Sequence, residues 1–327
     1  MLQTKLTNIP TNLVVGFLGV GKTTAILDLL KQKPKNENWA VLVNEFGKVG
    51  IDGAIYTAAG VTVKEIAGGC LCCAVGLPFQ VSINRLLKEV RPDRLLIELT
   101  GLGHPKKVLD MLVTGSFKDV LELRASICLV DPEKLKDSRY TTHETFIDQI
   151  ALSDVLVANK LDLADQEAIK LFHQWSSRPE KALIAQTMQG QLDVTWLDMP
   201  RQPKRQATFP NAHKISKIYP ANNTDHQLSN KADGFQSFGY IFPAQSCFNY
   251  KQLNEFLSQL NVERIKGILN TNKGWFIING IDGSIKYIST KPSASSRIEI
   301  IASRNHLPGI SNALNRIIEN ISPSSIF

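Results

Sequence analysis

Gly16, Gly21, Lys22 and Thr23 stand in the spacing G-x-x-x-x-G-K-[ST], within Leu13-Val14-Val15-Gly16-Phe17-Leu18-Gly19-Val20-Gly21-Lys22-Thr23-Thr24. In that spacing glycines let backbone N–H groups turn toward a phosphate chain. The lysine adds a point charge near the terminal phosphates, and the threonine hydroxyl ligates Mg²⁺. An apolar run leads in and Ala25-Ile26-Leu27-Asp28-Leu29-Leu30 continues as a helix, so a helix N-terminus would face the phosphates. Gly16, Gly19, Val20, Gly21, Lys22, Thr23 and Thr24 are therefore the expected nucleotide-binding residues, with Lys22 and Thr23 also catalytic. The plain alternative is a chance glycine-rich turn, and the strand before it and the helix after it weigh against that.

Two further motifs sit where such a loop needs them. Glu98-Leu99-Thr100-Gly101 ends an apolar run, Arg94-Leu95-Leu96-Ile97. An acidic residue there can hold Mg²⁺ together with Thr23, directly or through water, and Gly101 permits close approach to a γ-phosphate. An ordinary strand-end carboxylate is the other reading of Glu98. Asn159-Lys160-Leu161-Asp162 follows the run Val155–Ala158. An aspartate at Asp162 can accept from the ring N–H and exocyclic amine of guanine, whereas adenine would leave the carboxylate unpaired. Asn159, Lys160 and Asp162 thus predict GTP as the nucleotide and GDP as the product. No glutamine occupies an obvious water-positioning place, which leaves Glu45 and Asp52 as candidates.

Three of the five cysteines fall within four residues, at Cys70, Cys72 and Cys73. In an extended segment Cys70 and Cys72 point one way and Cys73 the other, so a turn at Gly68-Gly69 must help them converge. Thiolates favour soft or borderline ions, with Zn²⁺ the common tetrahedral choice. Three thiolates leave a fourth position for another side chain, water or a partner's ligand, which suits a transferable metal better than a closed structural site. Buried or redox-active thiols are the alternative. Cys128, in an apolar run, and Cys247 read as core or incidental residues. Among the six histidines, His104 follows Gly101 and could reach the metal or the γ-phosphate, or simply begin a helix before Pro105. His213 and His226 read as solvated loop residues.

The elements that must position these groups alternate along the first two-thirds of the 327-residue chain. Apolar runs at Trp39–Val43, Val61–Ile66, Arg94–Glu98, Arg124–Asp131 and Asp154–Asn159 read as strands. Helical spacing recurs at Leu77–Val90, Pro105–Thr114 and Phe146–Leu152. That alternation implies an α/β fold: a nucleotide domain with a mainly parallel sheet and right-handed crossovers, its ligands at the carboxyl ends of the strands. It covers residues 1–200. Prolines and asparagines crowd residues 201–234, which read as a linker. Residues 235–327 read as a small α+β domain, with strands near Phe238–Phe242, Ile265–Asn270, Trp275–Asn279, Ile285–Ile288 and Arg297–Ala302 and helices at Tyr250–Leu260 and Gly309–Ile321. Hydrophobic content of 43% and charged content of 20% are those of a globular protein. The start shows no signal peptide and no stretch reaches the ~18 apolar residues of a membrane span, so the expectation is a cytoplasmic protein without a membrane partner. The net charge of +7 comes from scattered lysines and arginines, with no basic run interleaved with aromatics, and predicts no nucleic-acid partner.

In this order, G-F-L-G-V-G-K-T-T, V-N-E-F-G, G-G-C-L-C-C, I-E-L-T-G and N-K-L-D resemble the CobW-type metallochaperone GTPases. Val262-Glu263-Arg264-Ile265-Lys266-Gly267 is similar to that family's R-x-K-G strand, so the resemblance covers nearly the whole chain. Val43–Gly53 and Gly101-Leu102-Gly103-His104-Pro105 look like its zinc-binding YeiR-like branch. The resemblance implies a GTPase that binds Zn²⁺ at the cysteine motif, holds Mg²⁺ with its nucleotide, and couples hydrolysis to metal delivery to a client metalloprotein. A homodimer is among its possible assemblies. Val43 and Lys48 stand where many relatives have acidic residues, which removes two carboxylates from the metal's surroundings and leaves Glu45 as a second candidate metal ligand. Two other readings stay open: a regulatory GTPase with a structural zinc, and a chaperone for Co, Fe or Ni.

Overall fold

The computed structural model describes residues 6–44, 63–66, 77–177, 181–209, 227–232, 235–281, 284–293, 295–303 and 310–319. The chain divides into two units, one built on a parallel sheet and the other on a largely antiparallel one. In the first unit the apolar runs become β1 (Ile9–Gly16), β2 (Trp39–Asn44), β3 (Val63–Ile66), β4 (Arg94–Leu99), β5 (Leu121–Leu123), β6 (Ile127–Val130), β7 (Val155–Ala158) and β8 (Leu183–Gln186). Their order is β3-β2-β4-β1-β6-β7-β8, with β5 also against β1. Each pair is parallel, which requires crossovers. The described helices longer than one turn are α1 (Lys22–Gln32), α2 (Leu77–Val90), α3 (Pro105–Leu112), α4 (Glu144–Leu152) and α5 (Gln166–Ser176), with a single helical turn at Ser138–Thr141. Every residue of β4, β6 and β7 is buried, as expected of parallel strands covered on both faces.

Two features of this unit depart from the sequence expectation. The run expected as one strand over Arg124–Asp131 lies in two pieces: β5 pairs with Ile9–Thr11, and β6 pairs with Val14–Gly16. The break between them holds Arg124, which bridges instead to Pro200. The sheet also has a strand beyond β7. β8 is its edge, alternating half-buried and exposed residues, so it lacks the continuous apolar run that marks an inner strand.

Residues 198–209 then lie as a strap on this same unit. Met199 accepts from Ala125 N at 2.8 Å, and Arg94 Nη2 meets Asp198 Oδ1 at 2.5 Å. Gln202 N and Arg205 Nε both donate to Asp154 Oδ1, at 3.0 and 2.9 Å. Asp154 also accepts from Ser126 N and Oγ through Oδ2. The proline-rich composition that reads as a linker is here a polar segment held by carboxylates buried in the domain.

The second unit pairs β9 (Gln227–Ala232), β10 (Phe235–Pro243), β11 (Cys247–Phe248), β12 (Arg264–Thr271), β13 (Gly274–Ile281), β14 (Ser284–Ser289), β15 (Ser295–Ser303) and β16 (Ile318–Glu319), with α6 (Tyr250–Gln259) and α7 (Ile310–Ile317). The main order is β14-β13-β12-β15-β10-β9. Phe248, Leu253, Leu257, Leu269, Ile278, Ile298, Ile300 and Leu314 form its core. β9 falls within the stretch that reads as linker. Its sequence, Gln-Leu-Ser-Asn-Lys-Ala, is polar because it is an edge strand, paired with β10 alone.

Candidate functional site

β1 ends at Gly16 and the chain turns through Phe17–Val20 into α1. The turn demands glycine at two places above all. Gly16 has φ of 141° and Gly21 φ of 101°, where side chains are strained. A Cβ on Gly16 would stand 2.5 Å from the Leu129 carbonyl oxygen, and one on Gly21 would stand 2.7 Å from Asn159 Nδ2. The amino end of α1 has neither a side-chain cap nor an acidic residue in its first turn, which suits it to an anion. Lys22 is 4% exposed. Its ammonium donates to the carbonyls of Gly16 at 2.8 Å and Phe17 at 3.1 Å, so the charge is held against the loop itself.

Strand pairing brings the expected magnesium ligands together. Val14 of β1 registers with Glu98 of β4, and this places the buried Glu98 carboxylate beside the start of α1. The Thr23 hydroxyl donates to Glu98 Oε1 at 2.9 Å. Two hard oxygen donors at hydrogen-bond separation, 75 residues apart in sequence, fit a Mg²⁺ ion. Beyond Glu98, Gly101 lies directly on the loop: a Cβ there would stand 2.7–2.8 Å from Leu18 Cδ2, Cα and N.

On the other side of the loop, Asn159 ties three segments together. Its Nδ2 donates to the Val20 carbonyl at 2.9 Å, and its Oδ1 accepts from Gly190 N at 3.0 Å. Asn159 is a structural clamp on the phosphate loop, while Asp162 three residues on is exposed. Lys160 takes a positive φ of 64°, and its ammonium pairs with Asp131 Oδ2 at 2.8 Å. Asp131 was not among the residues the sequence singled out; its signal is its place just after β6, at a strand's carboxyl end.

The loop 187–190 was missed as well. Thr187 N donates to the Ala158 carbonyl at 2.7 Å, and Leu161 N donates to the Thr187 carbonyl at 3.2 Å. Gly190, with φ of 72°, sits where a Cβ would come within 2.8 Å of Ala25 N. Together 159–162 and 187–190 form one wall beside α1.

His104 occupies the N-cap of α3, ahead of Pro105. It is buried, with Nε2 2.7 Å from Asp148 Oδ2. The cysteines Cys70, Cys72 and Cys73, with Glu45, Asp52, His213 and His226, lie outside the described residues. Among the described residues no group of three or more His, Cys, Asp or Glu side chains is arranged to hold a metal. Cys128 is a core residue of β6, and burial pushes its thiol up to about 12. Nearby, burial lowers the Lys181 ammonium to about 8, while its donors satisfy the Ser153 carbonyl at 2.7 Å and the end of α4.

A model of the CobW/HypB/UreG nucleotide-binding domain matches residues 10–184, more than half of the chain. The chain belongs to the CobW/HypB/UreG family. As a member it is a P-loop GTPase, and the phosphate loop, Glu98 and Asn159 all lie within the matched residues. This CobW/HypB/UreG protein is 42% identical over 306 residues to the zinc chaperone YeiR of Escherichia coli K12, across 90% of this chain and 93% of that one. It is 32% identical over 195 residues to the zinc chaperone CobW of Pseudomonas aeruginosa, across 50% and 52% of the two chains. The crystal structure of the zinc-bound YjiA GTPase of E. coli aligns with 96% of this chain and 100% of its own, at 18% identity and a TM-score of 0.44. Among the described residues no helix is long and apolar enough to cross a membrane.

Proposed function

We propose that this GTPase binds Zn²⁺ at Cys70, Cys72 and Cys73 and hydrolyses GTP to GDP and phosphate to time delivery of that zinc to a client metalloprotein in the cytoplasm. One observation carries the nucleotide half: Lys22, Thr23 and Glu98 converge at the uncapped amino end of α1, with the base loop tied to the same turn through Asn159. The cargo half is supported by the name of the relative that matches nearly end to end, a zinc chaperone, and by the chemistry of three clustered thiolates.

The residues divide the chemistry. Lys22 exchanges its loop carbonyls for β- and γ-phosphate oxygens and neutralises charge that develops on the transferred group. Thr23 and Glu98 would hold Mg²⁺, which would neutralise part of the charge on the phosphates. Gly101 brings backbone to the γ-phosphate side, and Asp162 reads the guanine edge. The cysteine motif lies in sequence between the phosphate loop and Glu98. Loss of the γ-phosphate relaxes the cysteine segment and weakens its hold on zinc, a switch by order and disorder. Residues 235–327 offer the docking surface for the client, and 1–200 are the motor.

The test is Cys72→Ser with zinc stoichiometry and thermal unfolding read together. A delivery site loses most of its bound zinc while the nucleotide domain still unfolds cooperatively and binds GTP. Collapse of the domain on the same substitution would make the zinc structural and overturn the delivery reading.

A further inference from the structure

α4 holds two distant segments with neighbouring side chains. Asp148 is fully buried, and its carboxylate meets His104 Nε2 at 2.7 Å through Oδ2. It accepts from the backbone N–H of Thr208 through Oδ1 at 2.5 Å, and from that of Phe209 through both oxygens, at 3.2 Å to Oδ1 and 3.1 Å to Oδ2. The next residue, Gln149, donates through Nε2 to the carbonyls of Gly101 at 3.1 Å and Gly103 at 3.0 Å. Positions 148 and 149 therefore grip the loop 101–104 at three points. Asp148 also holds Thr208 and Phe209 of the strap, near the carboxyl end of the first unit.

The grip is imperfect. Toward α4 the loop is held by hydrogen bonds, and Gly101 packs against Leu18 of the phosphate loop. Gln149 Oε1 is buried with no hydrogen-bond partner, a cost that a shifted loop would remove by turning an N–H toward it. A γ-phosphate bound at the phosphate loop would offer the backbone of 101–104 an acceptor away from α4.

We propose that Asp148 couples the γ-phosphate loop to the exit segment of the nucleotide domain, an inference that rests on the GTP-switch reading above. When GTP draws 101–104 toward the phosphates, His104 leaves Asp148. Without the imidazole the carboxylate can turn about its Cβ–Cγ bond, and its hold on the amides of Thr208 and Phe209 loosens. GDP restores the closed bracket. Asp148 and His104 act here as positioning residues. They relay the state of the nucleotide along the chain, with no part in the bond-breaking step.

Amide hydrogen exchange on the full-length protein reads those bonds directly, with Mg²⁺ and either a non-hydrolysable GTP analogue or GDP. Exchange at Thr208 and Phe209 should be about tenfold faster with the analogue, within the usual range of allosteric coupling, and should accompany a change at 101–104. Unchanged or slower exchange at 208–209, with 101–104 responding, overturns the coupling and leaves the GTP switch standing. If 101–104 does not respond either, the switch reading falls and the coupling falls with it. Asp148→Asn keeps the side-chain volume and should bring the ratio between the two states to about one. A ratio still near ten in that variant also overturns the proposal, and His104→Gln provides the same comparison should Asp148→Asn fail to fold.

Discussion

Asp162→Asn turns one of the two acceptors that match guanine's ring N–H and amine into a donor. GTP affinity should fall roughly 10- to 100-fold, while XTP, with an oxygen in place of that amine, should gain; competition against a fluorescent nucleotide checks both. Cys128 carries a prediction of the opposite kind, about stability alone. Burial lifts its thiol from 9.0 to about 12 in the folded state. The unfolded chain therefore loses the proton first, and the contribution to stability is complete below about pH 9 and disappears as pH rises toward 12. Relative to Cys128→Ala, the wild type should lose up to about 1.4 kcal/mol per pH unit in that window, measured by urea unfolding at pH 8 and 10.5. At this scale the phosphate loop and Asn159–Asp162 were legible because their chemistry is written in adjacent residues. Asp131, Asp148 and Gln149 were not, because each acts on a partner 29 to 61 residues away and is an ordinary polar residue in its own neighbourhood.

Elements set how closely these residues meet. Gly101 follows β4 on a loop with 2.8 Å between a hypothetical Cβ and the Leu18 backbone, so Gly101→Ala must push the loop off the phosphate site. A shift on the order of 1 Å at a positioning group costs about 10²-fold. Phosphate release should show a kcat lower by that factor, with the midpoint of urea unfolding moved far less. The strands and helices of the nucleotide domain were legible because inner parallel strands are unbroken apolar runs and α2 and α4 keep helical spacing. β8 and β9 were hidden by being edge strands, whose exposed side needs no apolar residue. The strap was hidden for a related reason. Its order comes from Asp154 and Asp148, buried carboxylates elsewhere in the sequence, and composition records only that the strap itself is polar.

At the scale of the whole molecule, the chain joins a GTPase domain to a largely antiparallel unit and matches a zinc chaperone over nearly its full length. On the proposed function, nucleotide and zinc are two ligands of one protein, and their free energies of binding are reciprocal. If GTP orders the cysteine segment, zinc must strengthen GTP binding by the factor with which GTP strengthens zinc binding. The decisive measurement is the zinc affinity of the full-length protein, titrated against a competing chelator with Mg²⁺ and either a non-hydrolysable GTP analogue or GDP. Zinc should bind at least about fivefold more tightly with the analogue, the lower end of ordinary allosteric coupling, and the same factor should return when the analogue is titrated with and without zinc. Equal zinc affinity in the two nucleotide states would contradict the account.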